Sequence, residues 1–199
     1  MFIWERIDGI IDYKSMLDRM EDRLNKIIDL SAPETIFLLQ HADVYTAGTG
    51  VDIDKDSEVP ITHTGRGGKV TYHGPGQRVI YPLLRLSEKD VKLYISQLEN
   101  WIINSLADLH IESYIVPKRV GIWVNGPKGE SKIGAIGIRV KKWVAYHGIA
   151  VNISTDISKY DPIVPCGITD AYVTSLKELG VDITMEEFDE ILKKNFFRP

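Results

Sequence analysis

SYIVPKRVGIWVNGPKGESKIGAIGIRVKKWVAYHGIAVNI, residues 113–153, is the stretch whose reading decides the fold. Valine, isoleucine, tryptophan and tyrosine crowd four runs of strand length: Ser113 to Val116, Val120 to Val124, Lys132 to Val140 and Trp143 to Ile153. Such side chains suit a pleated, half-buried surface, and turn signals at Asn125-Gly126-Pro127 and Lys141-Lys142 separate the runs. Strands joined by turns this short pair antiparallel, so the block is expected to be a meander.

Outward from the meander, the period changes. Upstream, Tyr13, Met16, Leu17, Met20, Leu24, Ile27 and Ile28 recur at helical spacing with charges between them, which predicts an amphipathic helix over 13–28, stopped by Ser31, Ala32 and Pro33. Thr35 to Gln40 reads as a strand, and HADVYTAGTG after it as a loop. Arg78 to Leu84 is a second apolar run, in which Pro82 marks a bulge or a sheet edge. Ser87, with Asp90 three residues on, resembles a capping box that opens a helix whose stripe is Val91, Tyr94, Ile95, Leu98, Ile102, Leu106 and Leu109. Downstream come a proline-rich loop over Asp161 to Gly167, a helix from Ala171 to Leu179 closed by Gly180, and a last helix capped by Thr184 and Glu187. The expected fold class is α+β: a mixed, mainly antiparallel sheet with helices packed on one face, as a single domain over 1–199.

Composition narrows the function. With 44% hydrophobic and 26% charged residues the 199-residue chain builds a full core, and a net charge of −4 gives no general attraction to nucleic acid. Glu5 and Asp8 interrupt what would have to be the apolar part of a signal peptide, and no run is long enough to span a membrane, so a cytoplasmic location is expected. One cysteine excludes an intramolecular disulfide and a multi-cysteine metal site. The histidines at 41, 63, 73, 110 and 147 include no helical ligand pair, so no metal is expected.

Three features carry chemistry. Thr62 to Pro82, THTGRGGKVTYHGPGQRVIYP, packs five glycines, two histidines and two arginines into a span with few apolar positions. It has neither the spacing of a phosphate-binding loop nor that of a dinucleotide fold, which leaves a hairpin turn or one wall of a pocket. Cys166, between Pro165 and Gly167, is either core filler or a nucleophile activated by a helix N-terminus or a lysine. Lys132, in SKIGAIG, is either a solvated strand-end charge or a partly buried amine, its pKa pushed down, that stabilises a thiolate and moves protons.

The run RGGKVTYHGPGQ (66–77), with QHADVYTAG before it and GIWV, KIGAIGIRV, HGIAVN and PCGI after it, resembles the lipoyl/octanoyl transferase family of protein lipoylation over about Leu38 to Ile168. The resemblance implies the fold of the biotin and lipoate ligase catalytic domains. It also implies transfer of an octanoyl or lipoyl group from acyl carrier protein to a lysine of lipoyl domains of 2-oxoacid dehydrogenases or of the glycine-cleavage H protein, without ATP or a metal. By position, Cys166 would carry the acyl group as a thioester and Lys132 would tune it. Substrate contacts would fall on Arg66, Gly67, Gly68, Lys69, Val70, Thr71, Tyr72 and His73, on Ala135, Ile136 and Gly137, and on Gly148, Ile149 and Ala150. Val70, Tyr72, Ile136 and Ile149 would wall the acyl slot. No nucleic acid or membrane partner is implied. His41-Ala42-Asp43 stands where the family usually has His-Pro-Pro, and Pro127-Lys128-Gly129-Glu130 slightly lengthens a hairpin. An ATP-dependent lipoate or biotin ligase, a cysteine-dependent enzyme moving octanoyl between lipoyl domains and H protein, and a non-catalytic carrier-binding module are the alternatives.

Overall fold

The computed structural model describes residues 2–48, 61–163 and 172–197. Cys166, Ala171 and the residues around them lie outside these.

β1 (Phe2–Ile11) and β2 (Glu34–His41) are parallel, and α1 (Tyr13–Ile28) crosses between them, as a parallel pair requires. α1 has the bounds its apolar spacing predicts, and the Asp12 carboxylate caps it by accepting the Ser15 N–H at 2.8 Å. The segment read as a loop after β2 holds β3 (Val44–Ala47), which pairs with β4 (Ile61–His63) and β5 (Thr71–His73) in a small separate sheet. Next come β6 (Gln77–Arg85) and α2 (Val91–Ala107). The predicted meander follows as β7 (Ser113–Val116), β8 (Arg119–Gly126), β9 (Gly129–Lys141) and β10 (Val144–Asn152). β11 (Tyr172–Val173) and α3 (Met185–Lys194) complete the described chain. The main sheet runs β1-β2-β6-β10-β9-β8-β7, with β11 parallel to β9, so it is mixed and mainly antiparallel. Among the described residues no helix is long and apolar enough to cross a membrane.

Both faces of this sheet are covered, not one. Along β2, Ile36 and Leu38 join a core with Leu98, Trp101, Ile102, Phe188 and Leu192 of α2 and α3. Phe37 and Leu39 point the other way, to Met16, Met20, Leu24 and Ile27 of α1. Each of those α1 side chains contributes about 1.5–3 kcal/mol by leaving water. A strand buried on both faces is a continuous apolar run, which is what TIFLLQ and RVIYPLL are.

Three further expectations change. Asp90, not Ser87, caps α2, because its carboxylate accepts the Lys92 and Leu93 N–H groups. Tyr172 and Val173 form a strand against Ser131 and Lys132 where a helix was expected, and only a turn over 175–180 follows, closed by Gly180. Pro82 sits on a central strand, between β2 and β10. Its missing N–H falls where the β6–β10 ladder has no pairs, between Ala145 opposite Leu84 and Ile149 opposite Ile80. The Thr184–Glu187 capping box is present as predicted.

Candidate active site

In a regular strand, residues an odd number apart face opposite sides, so Lys132 and Ala135 would be separated by the sheet. The β8–β9 ladder prevents this. Trp123 lies opposite Lys132 but Ile122 lies opposite Gly134, which makes Ile133 an extra residue, a β-bulge on β9. Ile133 turns into the core with α2 and α3, and Lys132 joins Ala135 and Gly137 in lining a cleft. Two cross-strand pairs of very small residues, Ala135 with Ala150 and Gly137 with Gly148, form the floor of that cleft. At its head the Lys132 amine, on a side chain only 6% exposed, donates to the Val120 carbonyl at 2.8 Å.

β5 and the residues between β4 and β5 make the roof. The Gly67 N–H donates to Ile138 O at 3.3 Å, and a Cβ on Gly137 would sit 3.2 Å from both Gly67 O and Arg66 Cδ, so any larger residue there would have to push the roof back by a few tenths of an ångström. Arg66 rivets the roof to β3: its guanidinium donates to Thr46 O at 2.5 Å, Thr46 Oγ1 at 2.7 Å and Gly67 O at 2.9 Å. Along β5 the alternation places Thr71 and His73 on the cleft. Tyr72 points away, donating its hydroxyl to Asp43 Oδ1 at 2.5 Å and packing against Tyr45 and Tyr160.

The cleft also reaches Tyr13, His73, Tyr81 and His147, a set of hydrogen-bonding rings. Behind them, His41 donates from Nδ1 to Ile11 O at 3.0 Å, which leaves Nε2 to accept the Tyr81 hydroxyl at 2.8 Å. His73 Nδ1 likewise donates to Gln77 Oε1 at 2.7 Å. Burial pushes these rings down, His41 to about 4, His73 to about 3 and His147 to about 4, so all three are neutral near pH 7. They offer hydrogen bonds and shape rather than charge. His147 is held at φ 57, opposite the gap left by Pro82, and its Nδ1 is buried without a hydrogen-bond partner.

Of the residues named from sequence, Lys132, Arg66, Gly68, Lys69, Val70, Thr71, His73, Ala135, Ile136, Gly137, Gly148, Ile149 and Ala150 border one cleft. Gly67 and Tyr72 do not line it, and the side chains of Ile136 and Ile149 pack with the core on the opposite face. Sequence reasoning missed Tyr13 and Tyr81, which sit in apolar stripes; a buried tyrosine's need for a hydroxyl partner was the available signal. A second, much smaller cavity shares Thr71, Lys132 and Ala135 with the cleft and adds Asn152, Tyr160 and Val173. Among the described residues no cluster of histidine and carboxylate groups could hold a metal ion.

The family model described as the lipoyl protein ligase A/B catalytic domain matches residues 12–197. The chain belongs to that family. Among its relatives, an octanoyltransferase of Rickettsia felis is 52% identical over 198 residues, covering 96% of this chain and 95% of that one. An octanoyltransferase of Rickettsia bellii is 54% identical over 196 residues, covering 94% of each. The family fold extends to a lipoate-protein ligase A solved with ATP (TM-score 0.74, 15% identity, 96% of this chain and 83% of that one). A biotin protein ligase from Aquifex aeolicus with biotin and ATP is a more distant likeness (TM-score 0.57, 16% identity, 98% and 67%). At such identities these two share the fold alone.

Proposed function

We propose that the protein is an octanoyltransferase of protein lipoylation, taking an octanoyl group from acyl carrier protein and delivering it to a lysine of a lipoyl domain. The observation that carries this reading is Lys132, buried where a small-floored cleft meets a second cavity. The cleft is the slot for the acyl chain, with the Lys132 amine at its head. The octanoyltransferase relatives, similar over nearly the whole chain, support the same reading.

The chemistry runs through Cys166 and Lys132. Five residues lie between Cys166 and Tyr172, which pairs with Ser131, and a tether of that length spans up to about 20 Å. The Cys166 thiolate attacks the thioester carbonyl of the donor; a new C–S bond forms, the bond to the carrier's thiol breaks, and the departing sulfur takes a proton from the Lys132 ammonium. The acceptor lysine, neutral, then attacks the Cys166 thioester. The amide C–N bond forms, the C–S bond breaks, and the amine's proton returns to Lys132, restoring the thiolate and ammonium. Exchange of one thioester for another is nearly isoenergetic, so no nucleotide activation is needed and neither ATP nor a metal takes part.

An assay without nucleotide tests this. The protein, octanoyl-acyl carrier protein and an unmodified lipoyl domain are mixed without ATP, and the domain is weighed by intact-protein mass spectrometry. One octanoyl amide on the domain lysine is expected. Modification that occurs only with free octanoate and ATP would replace this reading with that of a ligase.

A further inference from the structure

Lys132 is held by more than its own strand. Trp123 lies directly opposite it in the β8–β9 ladder, and the Lys132 amine stands 5.6 Å from the centre of the Trp123 ring. The ring is fixed: it is 1% exposed, and its indole N–H donates to Arg119 O at 3.0 Å. The same amine donates to the Val120 carbonyl at 2.8 Å. Gly121, which follows Val120 in the chain, has φ 133, and a Cβ there would lie 2.4 Å from Lys132 Cε, 2.9 Å from Nζ and 2.7 Å from Gly134 O. Both the backbone conformation and the space beside the lysine therefore require glycine.

We propose that Trp123 is a positioning residue, which together with the Val120 carbonyl presented at Gly121 holds the Lys132 amine at the junction of the acyl cleft and the second cavity. An ammonium over an indole face is attracted by the ring quadrupole, most strongly where water is excluded. A hydrogen bond to a fixed carbonyl and a contact with a fixed ring together restrict a long, rotamer-rich side chain, so its cost of ordering is met before substrate arrives. A phenylalanine keeps a ring face under the amine; a leucine keeps only bulk. This proposal rests on the assignment of Lys132 as the proton carrier of octanoyl transfer.

The test has two arms. In steady-state transfer, Trp123→Leu is expected to lose about tenfold or more in kcat with the KM for octanoyl-acyl carrier protein within about twofold, while Trp123→Phe keeps most of the rate. Equal losses in both variants, or a loss confined to KM, would overturn the proposal by reducing Trp123 to packing. The second arm needs no activity. The protein has four tryptophans, and in 5-fluorotryptophan-labelled protein the ¹⁹F resonance of Trp123, assigned by its absence in Trp123→Phe, should move on Lys132→Met while the other three hold. A resonance that does not move would overturn the cradle even if Trp123→Leu fails to fold. Wild-type protein that transfers no octanoyl group but shows the ¹⁹F response would instead count against the function.

Discussion

Lengthening one floor residue of the cleft should change which acyl chains the protein uses. Ala135 faces the cleft directly opposite Ala150, and both end in a methyl group. Ala135→Leu fills the trough with about three further carbons and displaces a similar length of acyl chain. At about 0.8 kcal/mol per buried CH₂, the lost burial is about 2.4 kcal/mol, or roughly a 60-fold fall in kcat/KM for octanoyl transfer. A butanoyl chain reaches little of that trough and loses far less. The assay is competition between octanoyl- and butanoyl-acyl carrier protein in one reaction, with products separated by mass. The octanoyl-to-butanoyl ratio is expected to fall by tens-fold. Equal losses for both chains, or an unchanged ratio, would refute the placement of the acyl chain over Ala135.

Two predictions concern what holds the site in place. Arg78 of β6 and Asp189 of α3, both buried, pair at 2.9 Å and 3.2 Å, so Asp189→Asn should cost about 3–5 kcal/mol in thermal or denaturant unfolding by stranding the guanidinium. Joint replacement by Met and Leu should restore most of it, and a single variant as stable as wild type would show that the pair carries no net strain or support. Acid should weaken the fold as well. His41, His73 and His147 sit at about 4, 3 and 4 when folded and return to about 6.5 on unfolding, so the unfolded chain binds more protons in that window. Their contribution is complete above pH ~6.5 and is lost as pH falls toward 4, at about 1.4 kcal/mol per pH unit for each proton taken up. Asp189, pushed up to about 6 by burial, offsets one of those protons. Thermal unfolding across pH 7 to 4.5 should show a shallower acid limb in His41→Asn than in wild type; identical limbs would contradict the assignment.

Local patterning carried much of this structure. The apolar spacing of α1, the turn-punctuated meander and the Thr184–Glu187 box were all legible, because each is decided within a few neighbouring residues. What was not legible depends on pairing across the chain. β11 exists because Tyr172 and Val173 meet the head of β9, and nothing in their neighbourhood announces that. The β-bulge at Ile133 is the sharpest case: KIGAIG reads as a regular strand, yet only the extra residue puts Lys132 on the same face as Ala135. Tyr72 fell on the wrong side for the opposite reason, since plain strand alternation between Thr71 and His73 already turns it from the cleft. The motif residues named a site; the ladders decided which side chains face it.

The claim at the centre is a covalent acyl-enzyme on Cys166. Wild-type protein incubated with octanoyl-acyl carrier protein alone, quenched in acid and mapped by peptide mass spectrometry, should carry one octanoyl group on Cys166. That group should be released by neutral hydroxylamine and passed to a lipoyl domain on its addition. Unmodified Cys166 during active transfer, or a Cys166→Ala variant that transfers at the wild-type rate, would contradict the account.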